Sequence, residues 1–180
     1  MARSRVQAKG FTLVELMVTL AIIAIIASVA VPSFLAFIEN RRLINGAEFI
    51  YGRLHFAKAE AIKQAKPVTF AVSAGANWNV GLGDTAACTA ADAANCTVAT
   101  NVNNNAPENV PYFFATPVPG TSVGAAAQVT FNPLRGTANN TSITVTNGAG
   151  ASLQVRVSLL GRVLICSPVG TLGGYPACGA

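Results

Sequence analysis

The apolar positions of this chain fall into three successive regimes. Residues 17–38 carry no charge over 22 positions, and about 20 apolar residues are enough to take a helix across the hydrocarbon core of a bilayer. Pro32 lies inside this run, where its missing donor and its ring predict a kink or a local loosening. After the run the period changes while the helix persists. Leu43, Ala47, Ile50, Leu54, Ala57 and Ala61 recur at alternating spacings of four and three, which puts them on one face of an α-helix. The helix is expected to continue to Lys66 and to end at Pro67, because the residue before a proline is biased away from helical dihedrals. Residues 11–66 would then form one helix roughly 84 Å long at 1.5 Å per residue, with a transmembrane half over 11–38 and an amphipathic half after it.

The third regime, residues 67–180, is rich in Val, Thr, Asn, Gly and Ala, with short alternating runs at 68–72, 128–131, 142–146, 153–159 and 162–165. These predict strands of an antiparallel sheet, with Asn147-Gly148 as the loop of a hairpin. Trp78-Asn79-Val80-Gly81 reads as the end of another strand. Residues 84–109 show little patterning and read as a long loop holding at most one short strand. The 114 residues from Pro67 onward suffice for one small domain with a single core. The expected class is α+β, a long N-terminal helix packed on a small antiparallel β domain.

One carboxylate breaks the apolar pattern near its start. Glu15 follows Gly10-Phe11-Thr12-Leu13-Val14, and a charge within a spanning helix costs about 2.5 to 3.5 kcal/mol at its centre, so a compensating cation is called for. A cut between Gly10 and Phe11 would create one: the new α-amino group of Phe11 would lie one helical turn from Glu15, and the same amine on a neighbouring subunit could come equally close. An ordinary secretory signal places its cleavage site after the apolar run, whereas here the glycine precedes it.

Lys9-Gly10-Phe11-Thr12-Leu13-Val14-Glu15-Leu16, behind a short basic leader with Arg3 and Arg5, resembles the class III signal of type IV pilins and type II secretion pseudopilins. The resemblance implies that a prepilin peptidase cuts after Gly10, that Phe11 is N-methylated, and that Glu15 pairs with the Phe11 amine of an adjacent subunit as a filament assembles. A proline at the place of Pro32 accompanies helix melting inside the filament in that family. The leader cations, kept on the cytoplasmic side of the inner membrane, would send the rest of the chain outward into the periplasm before it joins a pilus or pseudopilus.

A second part of the chain carries its own resemblance. Leu54-His55-Phe56-Ala57-Lys58-Ala59-Glu60-Ala61-Ile62, Trp78-Asn79-Val80-Gly81, Phe131-Asn132-Pro133-Leu134-Arg135-Gly136 and Leu160-Gly161-Arg162-Val163 are together similar to the GspH/FimT branch of minor pilins and pseudopilins. The loop from Cys88 to Pro119 has no counterpart. The resemblance implies a pilin-like fold and a scarce subunit that primes or caps a filament, with other major and minor pilins as partners. Some members of the branch take up DNA and carry a Gly-Arg-x-Arg motif near the C-terminus. Gly161, Arg162 and Val163 match it, but Leu164 stands where the second arginine would be. Arg156 and Arg135 would have to join Arg162 to make a DNA-binding patch, since one neutralised phosphate binds weakly.

Charge narrows the picture only locally. The chain has 12 basic and 7 acidic residues, and three of the basic ones lie in the leader. Arg41, Arg42, Arg53, Lys58, Lys63 and Lys66 face only Glu39, Glu48 and Glu60 along the second half of the helix. Four cysteines in an exported chain are expected to be bridged. Three pairings exist, and Cys88 with Cys96 and Cys166 with Cys178 are favoured because each pair is close in sequence around Gly-, Ala- or Pro-rich loops. A bridge over so short a loop contributes roughly 2 to 3 kcal/mol. Structural zinc is disfavoured, since the spacings do not fit and the one histidine, His55, lies far off on the helix. No carboxylate pair, phosphate loop or nucleophile with a base supports enzymatic chemistry or a cofactor. Asn139-Asn140-Thr141 and Asn95-Cys96-Thr97 fit the glycosylation triplet, a pattern that arises readily in Asn- and Thr-rich loops.

Overall fold

The computed structural model describes residues 10–84, 88, 96–100, 108–115, 118–168, 172 and 174–179. The leader cations Arg3, Arg5 and Lys9, and Asp92 and Asn95 of the long loop, lie outside the described residues.

A single helix, α1 (Leu13–Gln64), begins because Thr12 caps it. Its Oγ1 accepts the backbone N–H of Glu15 at 3.2 Å, satisfying one of the four donors that every helix start leaves open. The helix runs through Pro32 without interruption. It ends at Gln64, two residues earlier than expected, where Ala65 turns into the left-handed region at φ 53° and its N–H reaches back to the Ile62 carbonyl at 3.3 Å. That conformation costs a non-glycine residue roughly 1 to 2 kcal/mol, and Pro67 shuts out any continuation.

Two compact units divide the chain at residues 38 and 39. In the first, every described residue from Gly10 to Leu35 is exposed. The second contains all of the β-structure. There the six helical positions named by the 3.6-residue period are fully buried, together with Gly46 and Glu60. Glycine and alanine on this face let the sheets come close: a Cβ at Gly46 would lie 3.3 Å from Val145 Cγ1 and 3.6 Å from Thr121 Oγ1.

Among the described residues, nine antiparallel strands make two sheets. The first has the order β3 (Thr97–Thr100), β4 (Glu108–Ala115), β2 (Asn79–Gly83), β1 (Val68–Val72), β6 (Ala127–Phe131). The second has the order β5 (Thr121–Val123), β7 (Thr141–Asn147), β8 (Ser152–Val157), β9 (Val163–Cys166). Strand β1 is buried on both faces. Val68, Phe70 and Val72 join the main core with the helix, while Ala71 packs with Cys88 and Cys96. The sheets are stitched to each other by Gly75 and Val123, which exchange backbone hydrogen bonds of 2.8 and 3.1 Å, and by Trp78. The Trp78 indole is fully buried and donates to Thr121 Oγ1 at 3.1 Å, and that hydroxyl donates in turn to the Val118 carbonyl at 2.7 Å.

Three features differ from the sequence expectation. Residues 84–109 contain the one short strand allowed for, β3, but β4 also starts there and pairs with both β3 and β2. Its Pro111 and its lack of alternation hide it, because its pairing is set by a distant partner. Strand β5, three residues long, is too short to carry a pattern. Strand β8 stops at Val157 rather than at Leu159, because Ser158 and Gly161 close a turn (Gly161 N–H to Ser158 carbonyl, 2.8 Å) that leaves Leu159 and Leu160 outside the ladder. The hairpin at Asn147 forms as its sequence predicts, and the Asn147 Oδ1 accepts the backbone N–H groups of Ala149 and Ala151 at 3.1 and 2.9 Å.

Candidate functional site: an exposed apolar helix and an arginine-lined recess

The first unit presents apolar side chains in every direction. Phe11, Leu16, Ile22, Ile25, Phe34 and their neighbours are all more than half exposed. A patch on this scale is far beyond what a free surface tolerates, so it marks a surface meant for lipid or for other proteins. The helix is long and apolar enough to cross a membrane. Glu15 is the one acid in this segment and occupies its first turn. The capping bond adds something the sequence reading missed: Thr12 stands at the N-cap and Glu15 at the third position, the spacing of a capping box, with the Thr12 hydroxyl accepting the Glu15 N–H, and a glutamate there also suits the positive end of the helix dipole. The signal was present as Thr-x-x-Glu ahead of an apolar run. Phe11, just before the cap, is 78 % exposed.

In the second unit the arginines singled out above do not fall together evenly. Arg156 on β8 lies directly opposite Leu164 on β9, and Arg162 stands two residues before Leu164 and so on the same side of the sheet. Both guanidinium-bearing residues line one recess of about 190 Å³, whose other wall is the C-terminal loop with Pro176 and Cys178. That loop is fixed by the Cys166–Cys178 disulfide, with Cα atoms 5.0 Å apart, and by backbone bonds from Ser167 N–H to Pro176 and from Cys178 N–H to Ser167, at 2.8 and 3.1 Å. Arg135 does not line the recess. It sits on the turn at 132–136, which meets the Arg162 turn where the Gly136 carbonyl packs on Gly161.

Lys58 joins these turns. Its ammonium donates to the Gly161 carbonyl at 2.9 Å, partly buried, and its stem runs past Gly136. Sequence reading took Lys58 for one more cation along the exposed helix; its place beside the buried Ala57 and Ala61 was the available sign. Arg53, read the same way, is half-buried and lies over the Phe114 ring at 4.1 Å and the Phe49 ring at 5.0 Å. Cys88 and Cys96 form the other disulfide, with Cα atoms 4.6 Å apart, against Gly81. His55 packs on Tyr51 with ring centroids 4.5 Å apart, and no group of three metal-ligating side chains occurs among the described residues.

The family model described as Type II transport protein GspH matches residues 46–161, more than half of the chain, from the buried half of α1 through β8. The chain belongs to the GspH family. A second model, the prokaryotic N-terminal methylation motif, matches residues 5–31 of this GspH-family chain. Together they make it a GspH/FimT-like minor pilin or pseudopilin, a structural subunit whose family packs with other pilins and is processed at the N-terminus. A crystal structure of the type IV minor pilin FimU from Pseudomonas aeruginosa is similar at 15 % identity and a TM-score of 0.48, over 72 % of this chain and 91 % of that one. No curated protein matches the chain.

Proposed function

We propose that this chain is a minor pilin of a type IV pilus, a subunit that is held in the inner membrane by α1 with its β-rich unit on the periplasmic side, is cut after Gly10, is methylated on Phe11, and then enters the filament to prime or cap it. The observation that carries this reading is the fully exposed apolar segment with a single carboxylate in its first turn. In lipid the segment is solvated by acyl chains, and in a filament by the same segments of neighbouring subunits, so one surface serves both states. Glu15 then has a partner only after processing, when the Phe11 amine of an adjacent subunit can meet it. A carboxylate buried among apolar helices without a cation is strongly unfavourable, so the pair would fix the register in which the subunit docks. A pseudopilin of a type II secretion machine uses the same chemistry. Contact with DNA during uptake rests on Arg135, Arg156 and Arg162 alone, and a duplex titration decides it.

The test is the intact mass of the protein purified from membranes and from sheared filaments. The expected mass is that of a chain beginning at methylated Phe11, present in both fractions. Cleavage within or after the apolar run, for instance near Ala30, would overturn the reading. Loss of pili with secretion intact in a strain lacking the chain assigns it to the pilus, and the reverse assigns it to secretion.

A further inference from the structure

Three leucines stand nearly bare in an otherwise well-packed unit: Leu134 is 89 % exposed, Leu159 64 % and Leu160 80 %. The two turns that carry them touch where Gly136 meets Gly161, so all three are displayed from one joined corner. The Arg156 and Arg162 recess opens beside this corner, since Ser158 and Arg162 of the leucine-bearing turn are part of its lining. Neither arginine makes an ion pair among the described residues. Two guanidiniums with no acidic partner among the described residues, set over Leu164, Ile165 and Pro176, call for an anion on an apolar stem, and guanidinium pairs with a carboxylate through two parallel hydrogen bonds. At about 190 Å³ the recess accepts a side chain rather than a folded segment. The adjoining leucines decide what bears that anion. A phosphate backbone offers them nothing to cover, whereas a protein surface does.

From this we infer that the recess and the leucine-bearing turns form a docking surface for an acidic side chain, flanked by apolar residues, on the globular part of a neighbouring pilin subunit. The inference rests on the filament-subunit reading and adds to it a contact outside the apolar helix.

The experiment uses the full-length protein in detergent micelles, with the arginine Nε–H signals followed by NMR during titration with the peptide N-acetyl-Leu-Glu-Leu-amide. The Arg156 and Arg162 signals should shift saturably while Arg135 stays put. The matching Leu-Gln-Leu peptide should bind roughly tenfold more weakly or worse, because a charge-assisted bond is lost. Arg156→Gln and Arg162→Gln, both at exposed positions, should each weaken binding similarly with an unchanged melting temperature. The double variant Leu159→Ser with Leu160→Ser should weaken both peptides alike. Equal affinity for the two peptides, or no saturable response, would overturn the proposal. So would a short DNA duplex at low salt that moves all three arginine signals while the peptide moves none. Wild-type protein that enters sheared filaments yet ignores the peptide overturns the docking surface alone and leaves the filament reading in place.

Discussion

The Lys58 ammonium donates a hydrogen bond to the carbonyl oxygen of Gly161, 103 residues further along the chain, at 2.9 Å. It thereby ties the last third of α1 to the turn between β8 and β9, at the point where that turn rests on Gly136. Gly161 has φ +67°, and a Cβ there would drive into the Gly136 carbonyl, a backbone atom with no room to yield. Gly161→Ala is expected to cost about 3 kcal/mol or more, from left-handed strain together with the clash. Lys58→Met keeps the stem and removes the donor, and should cost about 1 to 2 kcal/mol through the unpartnered carbonyl. Thermal denaturation of the full-length protein in detergent measures both, and a Gly161→Ala protein as stable as wild type would contradict the packing described.

A second glycine is fixed by a disulfide rather than by a backbone. A Cβ on Gly81 would run into Cys96 Sγ and approach Cys88 Sγ at 3.2 Å. Gly81→Ala should therefore destabilise the protein by about 2 kcal/mol through overpacking. The two effects share one site, so they should not add: in a Cys88→Ala, Cys96→Ala background the cost of Gly81→Ala should largely vanish. A double-mutant cycle built from melting curves checks this, and strict additivity would show that the glycine is needed for something else.

Two roles are open to Glu15, one at the helix start and the other the proposed pairing with a neighbour's amine, and one pair of variants separates them. At the third position of a Thr-x-x-Glu capping sequence its side chain can be replaced by glutamine, which keeps a group able to accept the Thr12 N–H, but not by alanine, while the bond from the Glu15 N–H to the Thr12 hydroxyl survives either change. As the anion that meets a neighbour's amine it can be replaced by neither. Glu15→Gln and Glu15→Ala should both insert in the membrane and be cleaved, since removing a charge favours insertion. If charge pairing governs assembly, both should be poorly represented in sheared filaments. If capping governs it, Glu15→Gln should assemble like wild type.

Tyr175 tethers the C-terminal loop to the helix through a 3.3 Å hydrogen bond from its hydroxyl to Glu48 Oε1. Burial, first, and then the Glu48 charge and the hydrogen bond hold the phenol above its ordinary value, against a smaller opposing effect of Arg41. A folded-state value above the unfolded one means that the stabilisation is complete below about pH 10 and fades as the pH rises past it. Tyr175→Phe should remove that part of the alkaline loss of stability and leave the neutral-pH fold intact. Melting temperatures of the two proteins between pH 8 and pH 11, on the order of the phenol's titration range, compare them directly, and identical alkaline slopes would sink the tether.

The helix and most strands were legible because their signals are local. Six buried positions on α1 follow from the 3.6-residue period alone, and β1, β6 and β7 show alternating or continuous apolar runs of the right length. Strand β4 escaped because a strand with Pro111 in it is held by register with β2, 30 residues or more away, rather than by its own pattern. The site divides in the same way. Gly10, Phe11 and Glu15 form a contiguous motif and can be read directly. That Arg156 and Arg162 share a recess while Arg135 does not depends on the Arg156 and Leu164 register and on where a disulfide-bound loop lies. For Lys58, helical arithmetic gives the face it occupies, but the carbonyl it meets comes from the far end of the chain.

Both disulfides join a cysteine to the next one in sequence, eight residues on for Cys88 and twelve for Cys166. If the β-rich unit crosses from its helix end onward into an oxidising compartment, as the proposed function has it, its thiols appear in that same order. When Cys96 emerges, Cys88 is the sole thiol it can find, and 70 residues separate Cys96 from Cys166. For a chain anchored as proposed, nearest-neighbour pairing lets order of arrival alone select both bridges.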